Sequence, residues 1–190
     1  EFHESSPIEK SKAKLYDKVI FKSDPPMKQQ LWPRHCVQNT WGAELHKNLE
    51  IPSDAVRVCK GVDPEVDCYS GFTDMKNIDT PLLSLLKKRQ ITDIFVCGLA
   101  YDFCVNATAR DALINGYRTI LIDDCTRGID LVSIEKTKAG IIEKSGVIVD
   151  SSQVSAIVEG KDRRPELGFK LAMEIKKNLI SGGVKVNGKS

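Results

Sequence analysis

Three short stretches of this 190-residue sequence hold side chains suited to chemistry. The first is GLAYDFCVNAT, Gly98 to Thr108, with Cys104 where an apolar run, Ile94 to Cys97, gives way to helical spacing. A cysteine in the first turn of a helix meets unpaired backbone N–H groups and positive potential. Both favour the thiolate, the reactive form of the side chain. The same N–H groups suit the oxyanion formed when sulfur attacks a carbonyl carbon. A packed, inert thiol is the competing reading, because free cysteine is among the most buried residue types.

The second is Lys60, which ends the strand expected at Val56–Cys59 and precedes Gly61. A lysine at the carboxyl end of one strand can reach a cysteine at the carboxyl end of the next and favour its thiolate by Coulomb attraction. The alternative is a solvated surface lysine. The third is LWPRHC, Leu31 to Cys36. His35 is a candidate metal ligand or an ordinary loop histidine. Trp32 is a stacking surface for a planar ligand or a packing residue.

These side chains need a scaffold, and the central sequence supplies a pattern for one. Pro81–Lys88 reads as a helix with four leucines, and Ile91–Cys97 reads as a strand. Val105, Ala109, Ala112 and Leu113 space a helix over Cys104–Asn115, with Gly116 just past its end. Thr119–Ile122 is a continuous apolar strand of the kind covered on both faces. Ile134–Lys144 and Val147–Val149 repeat the helix–strand alternation, which predicts βαβ units and a parallel sheet. In such sheets ligands bind beyond the carboxyl ends of the strands, where Lys60 and Cys104 fall.

The flanks are less patterned. Val19–Phe21 and Val56–Cys59 read as strands and Thr40–Leu49 as a short helix. SDPPMKQQLWPRHC, with three prolines, reads largely as loop, as does KGVDPEVDCYSGF. RPELGFKLAMEIKKNLI predicts a last helix, and the final ten residues read as disordered. Asp102 reads as a cap of the helix beginning near Cys104, and Asp123 and Asp124 as loop or capping residues ending a strand. The expected division is one α/β domain over residues 1–160 and a helical tail over 161–190.

Composition bounds the function. Apolar residues make up 41% and charged residues 28%, as in ordinary globular domains. A net charge of +2 argues against nucleic acid or an anionic membrane as partner. No apolar run approaches the roughly 20 residues of a membrane span. Six cysteines without a C-x-x-C pair predict reduced thiols and a cytoplasmic protein, not a zinc ribbon or a redox pair.

In combination, LWPRHCVQNTWGAEL, CKGVDPEVDCYSGF and VCGLAYDFCVNATARDALINGYRTILIDD resemble the pyrazinamidase/nicotinamidase family of the isochorismatase-like cysteine hydrolases. The resemblance runs from about Leu31 to Val149. It implies a three-layer α/β/α fold with a mainly parallel sheet. It implies an amidohydrolase that converts nicotinamide to nicotinic acid and ammonia, a step of NAD salvage. Cys104 would be the nucleophile, forming a thioester, and Lys60 its supporting cation. The Leu99–Ala100 peptide would be cis, turning the N–H of Ala100 toward an oxyanion hole shared with that of Cys104. Trp32 would stack on the pyridine ring, with Tyr69 and Leu99 lining the pocket. His35 would be one ligand of a divalent metal, most often zinc. A small-molecule substrate and a possible homo-oligomer follow from the same resemblance.

One element of the family pattern is missing. No D-x-Q-N-D-F stretch, which carries the family's catalytic aspartate, occurs in the sequence, nor a D-W-H-P metal segment. Glu1-Phe2-His3 lacks the proline that would follow its histidine. The expectation is a chain truncated at its N-terminus, lacking the first strand and the general base, and inactive by itself. The competing readings are another hydrolase of the same superfamily and a non-catalytic relative.

Overall fold

The computed structural model describes residues 12–22, 24, 26–63, 66–162, 164–168 and 172. The chain divides into two compact units, one of Glu1–Arg57 with Asp63–Asp67, the other of Val58–Val62 with Cys68–Ser190.

The first unit is built on an antiparallel hairpin of β1 (Lys18–Phe21) and β2 (Met27–Gln30), paired from Lys18↔Gln30 to Phe21↔Met27. Strand β2 corrects the loop expected there. Pro26 lies in the connection and Pro33 beyond the strand, so neither removes a ladder donor. Met27, Gln29 and Leu31 alternate onto one buried face with Val19 of β1. Bonds from the Tyr16 N–H to the Leu31 carbonyl (2.7 Å) and from the Leu31 N–H to the Asp17 carbonyl (2.9 Å) extend the pairing. The helix expected over Thr40–Leu49 is only a 3₁₀ turn at Trp41–Ala43. Leu45 and Leu49 stay exposed there, and a short helix without an apolar face to bury does not hold.

In the second unit, α1 (Leu82–Lys88) leads into β3 (Asp93–Leu99). A π-helical turn (Tyr101–Val105) runs on as α2 (Asn106–Ile114), followed by β4 (Arg118–Arg127), α3 (Leu131–Glu143), β5 (Val147–Val149) and α4 (Ser151–Val158). The sheet is parallel with order β3-β4-β5. The strand expected at Val56–Cys59 does not form. Among the described residues no strand lies beside it to take up its backbone groups, and Val56 is exposed.

The strands explain the three layers. On one face Val96, Leu121 and Ile148 pack with Val105, Ala109 and Leu113 of the π-turn and α2 and with Ile141 of α3. On the other face Phe95, Ile120, Val147 and Val149 pack with Val154 and Ile157 of α4 and with Leu167. Neighbouring residues of each strand therefore feed opposite cores, which is why these strands read as continuous apolar runs. Ile120, Leu121 and Ile141 are fully buried, each contributing about 1.5–3 kcal/mol by area. Gly116 ends α2 at φ +87°, a conformation glycine adopts without cost.

Strand β4 runs five residues past the expected Ile122. Val96 pairs with Leu121, but Gly98 pairs with Thr126, so four residues of β4 stand against Cys97 alone. This bulge holds Asp123 and Asp124 inside the strand, not at its end. Asp124 accepts from the N–H (2.7 Å) and hydroxyl (2.6 Å) of Ser151, which begins α4, and those bonds pull its carboxyl below the usual range. Helix α4 itself was not anticipated. Its signal is the D-x-x-Q of a capping box, Asp150 with Gln153. Pro165–Gly168 is helical, while most of the expected tail helix and the last ten residues lie outside the described residues.

Candidate active site

The site grows from the turn after β3. Gly98 sits at φ +116° with open space where a Cβ would be, so conformation and not crowding calls for glycine. The Leu99–Ala100 peptide is cis, as the resemblance implies. Ala100 then begins the helical segment, and the N–H groups of Phe103 and Val105 both donate to its carbonyl, at 3.1 and 3.0 Å. Cys104 thus stands in the first turn of a helical stretch that starts as π and continues as α2. Single π turns inside helices recur at functional sites. Cys104 is partly exposed and unpaired.

Lys60 reaches this sulfur. Its ammonium donates to the Cys68 carbonyl at 2.7 Å and to Cys104 Sγ at 3.4 Å. The Cys68 segment is held against α2 and its own loop. The Gly71 N–H donates to Thr108 Oγ1 (2.9 Å), the Thr80 hydroxyl to the Gly71 carbonyl (2.5 Å), and the Cys68 thiol to the Ser70 carbonyl (3.2 Å). A carbonyl fixed in this way orients the flexible lysine toward sulfur. The arrangement places a cation beside a thiol at the start of a helix, which can hold negative charge on sulfur.

Tyr69 follows Cys68, and its ring meets Phe103 at 6.2 Å between centroids, tilted 38°. Phe103 immediately precedes Cys104 in the chain, so Tyr69 packs on the residue next to that cysteine. Leu99 is 76% exposed. Trp32 and His35 belong to the first unit. There Trp32 packs edge-to-face on Tyr16 at 5.8 Å, and His35 Nδ1 lies 2.6 Å from the Pro33 carbonyl. Among the described residues no group of three or more His, Cys, Asp or Glu side chains could hold a metal ion. The described donors by themselves do not complete a metal centre around His35. Glu1-Phe2-His3 lies outside the described residues.

Sequence reasoning missed three contributors. Phe103 carries no signal beyond adjacency to Cys104. The Cys68 carbonyl carries none, since any residue has one. Asp102 was misassigned: the helix start has no side-chain cap, and the Asp102 carboxylate instead accepts from the N–H groups of Ile129 and Asp130, both at 3.1 Å. It turns away from its own helix because the loop before α3 presents two backbone donors to a buried position. Gly128 makes room for it, since a Cβ there would fall 2.7 Å from Asp102 Oδ1.

Comparison with known proteins bears on this geometry. A family model described as the isochorismatase domain matches residues 14–153. The nicotinamidase of Escherichia coli (strain K12) is 42% identical over 104 residues, 54% of this chain and 49% of that protein. The nicotinamidase/pyrazinamidase of Mycobacterium tuberculosis is 37% identical over 121 residues, 64% of this chain and 62% of its own length. The chain spans about half the length of the first of these relatives. Among solved structures, an Acinetobacter baumanii nicotinamidase/pyrazinamidase superposes with TM-score 0.71 at 33% identity, covering 80% of this chain and 73% of the other. A protein from L. infantum in complex with nicotinate gives 0.62 at 37%, covering 65% and 62%. A Pyrococcus horikoshii pyrazinamidase in complex with zinc gives 0.57 at 37%, covering 64% of each.

Proposed function

The chain belongs to the isochorismatase family, and from that membership and the site geometry we propose that it carries the nucleophile of a cysteine amidohydrolase acting on nicotinamide. The observation that carries the reading is the Lys60 ammonium 3.4 Å from Cys104 Sγ in the first helical turn. Relatives and structural neighbours that are nicotinamidases support the substrate class, and one neighbour was solved with nicotinate.

In this account the Cys104 sulfur attacks the carboxamide carbon. The oxyanion is received by the N–H groups of Ala100 and Cys104. The C–N bond breaks, ammonia leaves with the proton given up by the thiol, and a nicotinoyl thioester remains. Water then adds to the thioester, releasing nicotinic acid and restoring the thiol. Lys60 holds the negative charge that sulfur carries before attack. Tyr69 and Phe103 supply apolar wall on the Cys104 side of the site. The product suits pyridine-nucleotide salvage, and six free thiols suit a cytoplasmic setting. Zinc in the Pyrococcus horikoshii neighbour makes a divalent metal the natural cofactor class, with His35 as one donor. The described residues do not complete such a site.

Proton transfer between sulfur, ammonia and water calls for a base, worth roughly 10²–10⁴ in rate. The sequence contains no D-x-Q-N-D-F aspartate for that role. The 190-residue chain should therefore release ammonia from nicotinamide at least about a hundredfold more slowly than the Escherichia coli relative under the same conditions. Turnover at the relative's level, or turnover that survives Cys104→Ala, would contradict this reading.

A further inference from the structure

We propose that Tyr101, Asp123 and Lys138 form a positioning network that holds the turn bearing Cys104; the inference rests on Cys104 being the nucleophile of the proposed function. Tyr101 is 2% exposed and lies between Ala100 and Cys104, the two residues whose N–H groups would receive the oxyanion. Its hydroxyl donates to Asp123 Oδ1 at 2.7 Å. Lys138 of α3 grips the same carboxylate, with Nζ 3.1 Å from Oδ1 and 3.2 Å from Oδ2. Nζ also lies 5.7 Å from the centroid of the Tyr101 ring and 3.4 Å from Glu135 Oε1.

Three elements meet in these contacts. The carboxylate sits in the β4 bulge, where four residues stand against Cys97. The cation comes from α3, and the hydroxyl from the nucleophile turn. A regular strand would not need the bulge, and the bulge places Asp123 where it meets Tyr101. On its other side the same turn is tied through Asp102 to the backbone of Ile129 and Asp130. Consecutive side chains, Tyr101 and Asp102, thus fasten one turn at two places. A shift of Tyr101 would move the Ala100 and Cys104 N–H groups relative to the sulfur. Reactions that depend on such alignment lose rate steeply with displacement. Tyr101, Asp123 and Lys138 touch no reacting atom, so their role is to position.

The test uses the reaction of Cys104 with iodoacetamide, read residue by residue by mass spectrometry, beside thermal melting of each variant. Tyr101→Phe keeps the ring and its packing but loses the hydroxyl. Lys138→Met loses the cation, and Lys138→Arg restores it. Positioning predicts that Tyr101→Phe and Lys138→Met each slow Cys104 labelling about tenfold at neutral pH. Labelling of Cys36 and Cys59 should stay unchanged, and Lys138→Arg should recover most of the rate. Cys104 labelling at the wild-type rate in both variants, whatever their melting temperatures, would overturn the proposal and leave the network a purely structural one. Nicotinaldehyde protection of wild-type Cys104 is measured in parallel. Slower labelling in the variants without that protection would sink the nicotinamide reading while supporting the positioning role.

Discussion

Lys60 Nζ stands 3.4 Å from Cys104 Sγ although 44 residues of chain separate the two. The contact depends on a third partner, the Cys68 carbonyl, which takes a second hydrogen bond from the same ammonium at 2.7 Å. A lysine shared between a fixed carbonyl and a sulfur is held in one orientation. The cation is thereby kept beside the thiol.

Removing that cation should be felt at sulfur and little elsewhere. Lys60→Met keeps the length of the side chain and should slow iodoacetamide labelling of Cys104 about tenfold at pH 7, the effect of roughly 1.4 kcal/mol of lost charge stabilisation. Thermal melting should change little, because Lys60 is exposed and fills no core position. An unchanged labelling rate would separate Lys60 from the chemistry.

Gly98 offers a backbone test. Its φ of +116° lies in the region that side-chain-bearing residues rarely adopt, while the space around it is open. Gly98→Ala should therefore cost about 1–3 kcal/mol through conformation alone, read by denaturant unfolding. Cys104 labelling should fall as well, because Gly98 sets the direction of the turn. A neutral substitution would show that the turn tolerates another path.

The Tyr101 network predicts a loss of stability in alkali. Burial, then the hydrogen bond to Asp123, raises the Tyr101 hydroxyl above its ordinary 10.0. The hydrogen bond to the Asp123 carboxylate raises Lys138 above its ordinary 10.5. Each group holds its proton more tightly folded than unfolded. Its contribution is therefore complete below the ordinary value and is lost as pH rises through the folded one. Melting temperature should stay level to about pH 10 and then fall, and Tyr101→Phe should flatten part of that fall. The same alkaline slope in Tyr101→Phe and Lys138→Met as in the wild type would remove these groups from the explanation.

How far the sequence discloses this molecule depends on where each instruction resides. Strands β3, β4 and β5 and helices α2 and α3 were legible because their apolar runs feed cores on both faces of the sheet. Met27–Gln30 was obscured by neighbouring prolines that lie outside the strand itself. Thr40–Leu49 has a helical pattern with nothing to pack against, so its pattern misled. In the site, Cys104 and Lys60 could be singled out by type and context. The Cys68 carbonyl could not, since a backbone group has no identity in a sequence. Asp102 looked like a local cap because a local donor is the default expectation, but its donors come from residues 27 and 28 positions on. The bulge that brings Asp123 to Tyr101 is a matter of register between two strands, and neither strand records it alone.

The proposed function requires Cys104 to be a nucleophile in a site that takes nicotinamide. The most direct measurement is the labelling of all six cysteines by iodoacetamide at neutral pH, with and without nicotinaldehyde, resolved by mass spectrometry. Cys104 should react well ahead of the exposed Cys36, Cys59, Cys97 and Cys125, and nicotinaldehyde should protect it alone. Labelling of Cys104 no faster than those exposed thiols, with no protection by nicotinaldehyde, would contradict the proposed function.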